Sequence, residues 1–134
     1  LNSDEPLFKK IELFVSKYLD TLSENPMIPG FILHELAHGR QHIDALIRGT
    51  GLNPQFFINQ IYREIDAGKI KNCDPTQLIV NILSLCIFPF VAQPILQGVF
   101  FRNREEDYKR FMVERKMDVV RFIIASIRKQ QEEG

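Results

Sequence analysis

The chain has 134 residues, with 17 basic and 17 acidic side chains and a formal net charge of zero. That is enough for one domain with one core, and it gives no global attraction to nucleic acid or to an anionic membrane. Hydrophobic residues make up 45% and charged residues 25%, an ordinary soluble globular balance.

From Pro6 to Leu22, apolar residues fall at Leu7, Ile11, Phe14, Tyr18 and Leu22, the three-or-four spacing of one helical face. Phe8, Val15 and Leu19 widen that face towards a second neighbour. Ser3 or Asp4 suits the cap, and Pro6 the first turn. The prolines and glycine of "SENPMIPG" make the connection to a second helix, predicted from about Pro29 to His38 with Gly39 as its stop. "RQHIDALIRG" is expected to form a short helix closed by Gly49 and Gly51. Asn53 and Pro54 then supply a cap and a first position for a helix that carries Phe56, Phe57, Ile61 and Ile65 and ends near Gly68.

Asp74 and Pro75 open the next helix. It runs to about Phe88, is apolar almost all round, and is expected at the centre of the fold. Pro89 and Pro94 are expected to bend or break the chain beyond it. The stretch from Pro75 to Phe101 has no charged residue, yet its uninterrupted apolar part, Leu78 to Phe88, is too short to cross ~30 Å of hydrocarbon at ~1.5 Å per residue; no membrane partner is expected. Cys86 in this run reads as a buried, reduced thiol. Cys73 and Cys86 form no Cys-x-x-Cys pair, and with no signal-peptide pattern a cytoplasmic setting is expected.

The last helix, Glu105 to about Gln131, repeats Val113, Met117, Val120, Ile124 and Ile127 at four-three-four-three spacing, a coiled-coil-like seam. Phe111, Val119, Phe122 and Ile123 form a second strip, so one face is expected inside the chain and one against a partner. With no strand, repeat or linker, residues 1–134 read as a single all-α domain of five to six helices.

One segment spells a metalloenzyme motif. His34-Glu35-Leu36-Ala37-His38 matches His-Glu-x-x-His, in which two histidines one turn apart share a zinc ion and the glutamate acts as general base. A catalytic site needs a third ligand. His42 follows the second histidine by four residues, and on a continuous helix it would lie ~12 Å from His34 along the axis, too far to share an ion. Glu64 is an acid on the next helix with no better claim. The reading of the residues is two histidines on a helix face, with His34 and His38 as weak metal candidates, no catalytic residue and no cofactor.

The order of signals resembles the effector-binding domain of TetR-family transcriptional regulators. Leu22, Asn25, Pro26, Phe31 and Glu35 fit that family's "l..nP.l..f...E" pattern. Ile65, Gly68, Ile70, Asp74, Pro75, Leu78, Ser84, Leu85 and Pro89 fit its "i..gi..G.i...dp..l...i.sl..fp" stretch. The resemblance runs from about Pro6 to the end. The family's amino-terminal helix-turn-helix is absent, so the chain is read as the regulatory core of a repressor, contacting DNA only through that missing part.

The resemblance implies a homodimer, in which the last two long helices form a four-helix bundle with the partner's. It places Phe90, Pro94, Gln97, Phe101, Phe111, Val119, Phe122 and Ile123 at that interface. It also implies a small apolar or amphipathic effector among the earlier helices. Polar or aromatic groups facing apolar helices then mark the ligand site: Phe14, Tyr18, Phe31, His34, Phe57 and Asn81. Asn81 and Ser84 stand out because a polar group in an apolar helix needs a partner or a cavity. Two other readings compete: a zinc metallopeptidase, and a helical adaptor that docks another protein on its last helix.

Overall fold

The computed structural model describes residues 6–38 and 54–129. Among them lie six α-helices: α1 (Leu7–Glu24), α2 (Met27–His38), α3 (Pro54–Asp66), α4 (Pro75–Val91), the single turn α5 (Gln93–Ile95), which continues as a π turn over Leu96–Phe100, and α6 (Glu105–Ile127). The all-helical class expected from the sequence is observed; the described residues hold no strand, and one antiparallel bridge joins Ile70 to Arg128.

The boundaries arise from local chemistry. Asn25 closes α1 by turning both its backbone N–H and its side-chain Nδ2 onto the Thr21 carbonyl, at 3.1 and 2.9 Å. Gly68, at φ +74°, ends α3: its N–H donates to the Ile65 carbonyl and the Lys69 N–H to the Glu64 carbonyl, the paired bonds of a Schellman cap. Asp74 caps α4 by accepting from the Thr76 N–H at 2.8 Å, with Pro75 in the first turn.

The core is built on α1, α4 and α6, which pack on one another, with α2 and α3 laid against α4. Leu7, Ile11, Val15 and Leu19 of α1 meet Leu78, Ile82 and Cys86 of α4 and Val119, Ile123 and Ile127 of α6, while Phe57 and Ile61 close it from α3. Lys10 is buried in this assembly. Its Nζ donates to Gln60 Oε1 at 2.5 Å and lies 4.7 Å from the centre of the Phe56 ring, contacts that offset the loss of water around an ammonium. The Lys71 N–H donates to the Ile127 carbonyl, tying the α3–α4 connection to the end of α6.

Four expectations are corrected. α4 does not stop at about Phe88 but runs through Pro89 to Val91; the bend expected beyond it is present, 60° between α4 and the segment after it. The buried stripe of α6 is Tyr108, Val119, Ile123 and Ile127, which cuts across both predicted strips, and Val113 and Met117 stand in solvent. The reason is geometric: α6 packs on α1 and α4 at once, so its inner face takes a four-residue repeat rather than a heptad seam. α4 is central but not enclosed, because Val80, Asn81 and Phe88 are exposed. α2 begins at Met27, with Pro29 inside its first turn. The helix predicted over "RQHIDALIRG" lies outside the described residues. No single helix among the described residues is long and apolar enough to cross a membrane; only the bent pair of α4 and its continuation has the length and composition.

Candidate functional site

The His-Glu-x-x-His turn sits at the end of α2. Glu35 is buried, whereas His34 and His38 are exposed. The two imidazoles stack, with centroids 4.2 Å apart and 24° between planes. Nδ1 of His38 is 2.8 Å from the His34 carbonyl oxygen. A carbonyl only accepts, so this nitrogen carries the hydrogen and Nε2 of the neutral ring holds the lone pair. Among the described residues no three His, Cys, Asp or Glu side chains gather as a metal site. Glu64 is engaged elsewhere, accepting from the Leu7 N–H at 3.4 Å and facing Lys69 at 3.6 Å. His42 lies outside the described residues.

A larger feature is a groove of about 610 Å³ where the end of α1, the start of α2, the end of α4 and the first half of α6 converge. Its size falls in the usual range of small-molecule sites. Leu19, Leu22, Pro26 and Pro29 form one wall; Phe90, Met112 and Val113 form the other. Lys109 and Lys116 come from the same side of α6, seven residues apart, and an ion pair between Lys116 and Asp20 spans the groove. The Tyr108 hydroxyl, also on the lining, donates to the Pro89 carbonyl at 3.4 Å.

None of the six predicted ligand residues lines this groove. Phe14 and Tyr18 stack at 5.5 Å and are half-buried beside the core; burial, and secondarily Cys86 nearby, pushes the Tyr18 hydroxyl above its ordinary range. Phe57 is in the core, and Phe31, His34 and Asn81 are exposed. Asn81 and Ser84, expected to need a partner or a cavity, are exposed, so solvent meets both side chains. The groove was missed because its lining comes from five helices, Gln93 of α5 among them. A signal did exist in Lys109 and Lys116 bracketing Met112 and Val113 on one helix.

The residues predicted for a dimer face divide three ways. Val119 and Ile123 are each 1% exposed and pack inside the chain, so they are withdrawn from that face. Phe90 lines the groove. Phe101 contacts both Tyr108 and Phe111, at 6.2 and 5.4 Å between ring centres, while Pro94 is exposed, Gln97 is half-buried and Phe122 is 63% exposed. Phe111, Arg115 and Phe122 fall on one side of α6 by their spacing, and Phe88 lies about one turn beyond Leu85 on α4. The α4–α6 seam between these two sets is held by Arg115, whose Nη2 donates to the Leu85 carbonyl at 3.0 Å. Exposed apolar side chains continue along the π turn as Val99 and Phe100.

Cys86, fully buried under this seam, has its thiol pushed up to about 12 by loss of water, with Arg115 pulling weakly the other way. No protein-family model matches the chain, and no match is found among curated proteins or solved structures.

Proposed function

We propose that this chain is the regulatory core of a TetR-like transcriptional regulator. It pairs with a second copy through the outer faces of α4, the π turn and α6, and it takes a small amphipathic effector in the groove between α1, α2, α4 and α6. The observation that carries the reading is the apolar surface on the last helices: Phe88, Ile95, Val99, Phe100 and Phe122 are each more than half exposed. A globular chain seldom leaves so many large apolar groups in water on neighbouring elements without a partner for them. The order of helix signals in the sequence supports the same reading.

The groove supports an effector of particular chemistry. Its apolar walls suit a hydrocarbon or aromatic body, and Lys109, beside the Lys116–Asp20 pair, leaves the lining with a net positive charge that favours an anionic head. An effector wedged between α1 and α6 acts on the helix that also carries the pairing face, so binding favours one dimer geometry over another. This predicts that an environment-sensitive anionic amphiphile, such as an anilinonaphthalene sulfonate, binds the folded chain with saturable fluorescence. Medium-chain carboxylates displace it and the matching alcohols do so poorly. Lys109→Met with Lys116→Met removes the preference for the carboxylate. Equal displacement by acid and alcohol in the unaltered chain contradicts the assignment of the groove.

A further inference from the structure

We propose that His34 and His38 form a two-point chelating site for a late first-row divalent ion, such as Zn²⁺ or Ni²⁺. The inference stands apart from the regulatory reading above. It rests on three features of the end of α2. Both rings are exposed, so neither must leave a packed environment to bind. They stand one helical turn apart and already face each other, with centroids 4.2 Å apart. Two imidazole nitrogens bound at ~2.0–2.1 Å to a common ion lie roughly 3 Å apart. Stacked rings aim their lone pairs side by side rather than at one point, so binding requires the exposed His34 ring to turn about χ1 and χ2 until its lone pair meets the ion on His38 Nε2.

The third feature is the hydrogen bond between His38 Nδ1 and the His34 carbonyl, at 2.8 Å. It fixes the Nδ1–H tautomer and leaves the Nε2 lone pair free to bind. Metal-ligating histidines recurrently show this arrangement, the non-ligating N–H donating to a backbone carbonyl. Imidazole nitrogen suits zinc, nickel, cobalt and copper rather than magnesium or calcium. Glu35 is buried while the two rings stand in solvent, so among the described residues the two rings are the ligands, and water or another donor completes the sphere. The site is thus exchangeable, and much weaker than structural zinc sites built from four protein ligands.

The test is calorimetric titration of the metal-stripped 134-residue chain with Zn²⁺ and, separately, Mg²⁺. One equivalent of Zn²⁺ binds saturably, Mg²⁺ does not, and Zn²⁺ raises the unfolding temperature. His34→Asn and His38→Asn each weaken Zn²⁺ roughly ten-fold or more, since losing a ligand costs at least what losing a ligand's supporting partner does. Far-UV dichroism remains that of the unaltered chain, because both rings are exposed. Cys73→Ser and His42→Asn leave the affinity unchanged. Absence of saturable Zn²⁺ binding, or binding that survives both α2 substitutions, overturns the proposal. So does a loss in Cys73→Ser or His42→Asn as large as that in His34→Asn.

Discussion

Arg115 of α6 donates from Nη2 to the Leu85 carbonyl of α4 at 3.0 Å, and Leu85 is the residue whose carbonyl Pro89 leaves without a helical donor. In an unbroken helix the N–H four residues on would fill that position, but proline has none. The guanidinium takes its place from the neighbouring helix. One turn further on, the Tyr108 hydroxyl donates to the Pro89 carbonyl at 3.4 Å, one of the last carbonyls of α4. The Arg115 bond explains how α4 carries a buried proline through to Val91.

This relationship predicts a coupling. Arg115→Met leaves a part-buried carbonyl unpaired and costs about 1–3 kcal/mol in urea unfolding. Pro89→Ala supplies a backbone N–H for the same carbonyl. The double variant is therefore less destabilised than the sum of the two singles, with an interaction energy of about 0.5–2 kcal/mol. Simple additivity would mean that the Arg115 bond does not compensate for the proline. Some cost of the guanidinium itself remains, because among the described residues its buried Nε has no acceptor.

The cysteines are predicted to differ in reactivity. Cys86 is fully buried with its thiol pushed up to about 12, while Cys73 is partly exposed and raised by burial and by the adjacent Asp74. Under native conditions at about pH 8, a thiol reagent labels Cys73 and leaves Cys86 unmodified until the chain unfolds. Equal labelling of both in the native chain would contradict the packing at the α4–α6 seam.

The same thiol sets a sign for alkaline stability. Its folded value lies above its unfolded value, so the neutral form is favoured by folding. The contribution is whole below pH 9.0 and declines as pH rises towards about 12, because the unfolded chain releases the proton first. Tyr18 and Tyr108 are shifted in the same direction by burial. Chemical denaturation at about pH 8 and about pH 10.5 should show lower stability at the higher pH. Cys86→Ala should flatten the decline, by at most ~1.4 kcal/mol per pH unit.

Adjacent residues on α6 are predicted to act in opposite ways. Ile123 is 1% exposed and Phe122 is 63% exposed. Ile123→Ala removes core volume and costs about 2–5 kcal/mol of folding stability. Phe122→Asp leaves the helical content intact and weakens self-association by roughly 30-fold, the effect of losing one strong interface contact of about 2 kcal/mol. A Phe122→Asp chain that unfolds instead would place this ring inside the fold.

The features legible in the sequence are those that short segments decide for themselves. Asp74-Pro75 opens a helix and Gly68 ends one because the cap and the left-handed turn need only their own residues. Leu7, Ile11 and Leu22 on one face of α1 were legible for the same reason. The bend beyond α4 was legible, but its run past Phe88 to Val91 was not, because the group that supports Pro89, Arg115, is distant in sequence. The inner face of α6 misled because a run of Val119, Val120, Phe122, Ile123 and Ile124 offers several apolar stripes, and only contact with α1 and α4 selects one. The groove depends on five helices meeting, which no local pattern encodes. The left-handed pair Arg102 and Asn103, which turns the chain from the π turn into α6, also left no glycine to mark it.

The central claim is that two copies pair through the outer faces of α4 and α6. Sedimentation equilibrium of the chain over roughly 1–100 µM tests it most directly, since association responds to concentration by mass action. The account predicts a dimer that shifts towards monomer in the Phe88→Asp/Phe122→Asp variant while helical content is retained. A strict monomer across that range in the unaltered chain, or a dimer indifferent to both substitutions, would contradict it.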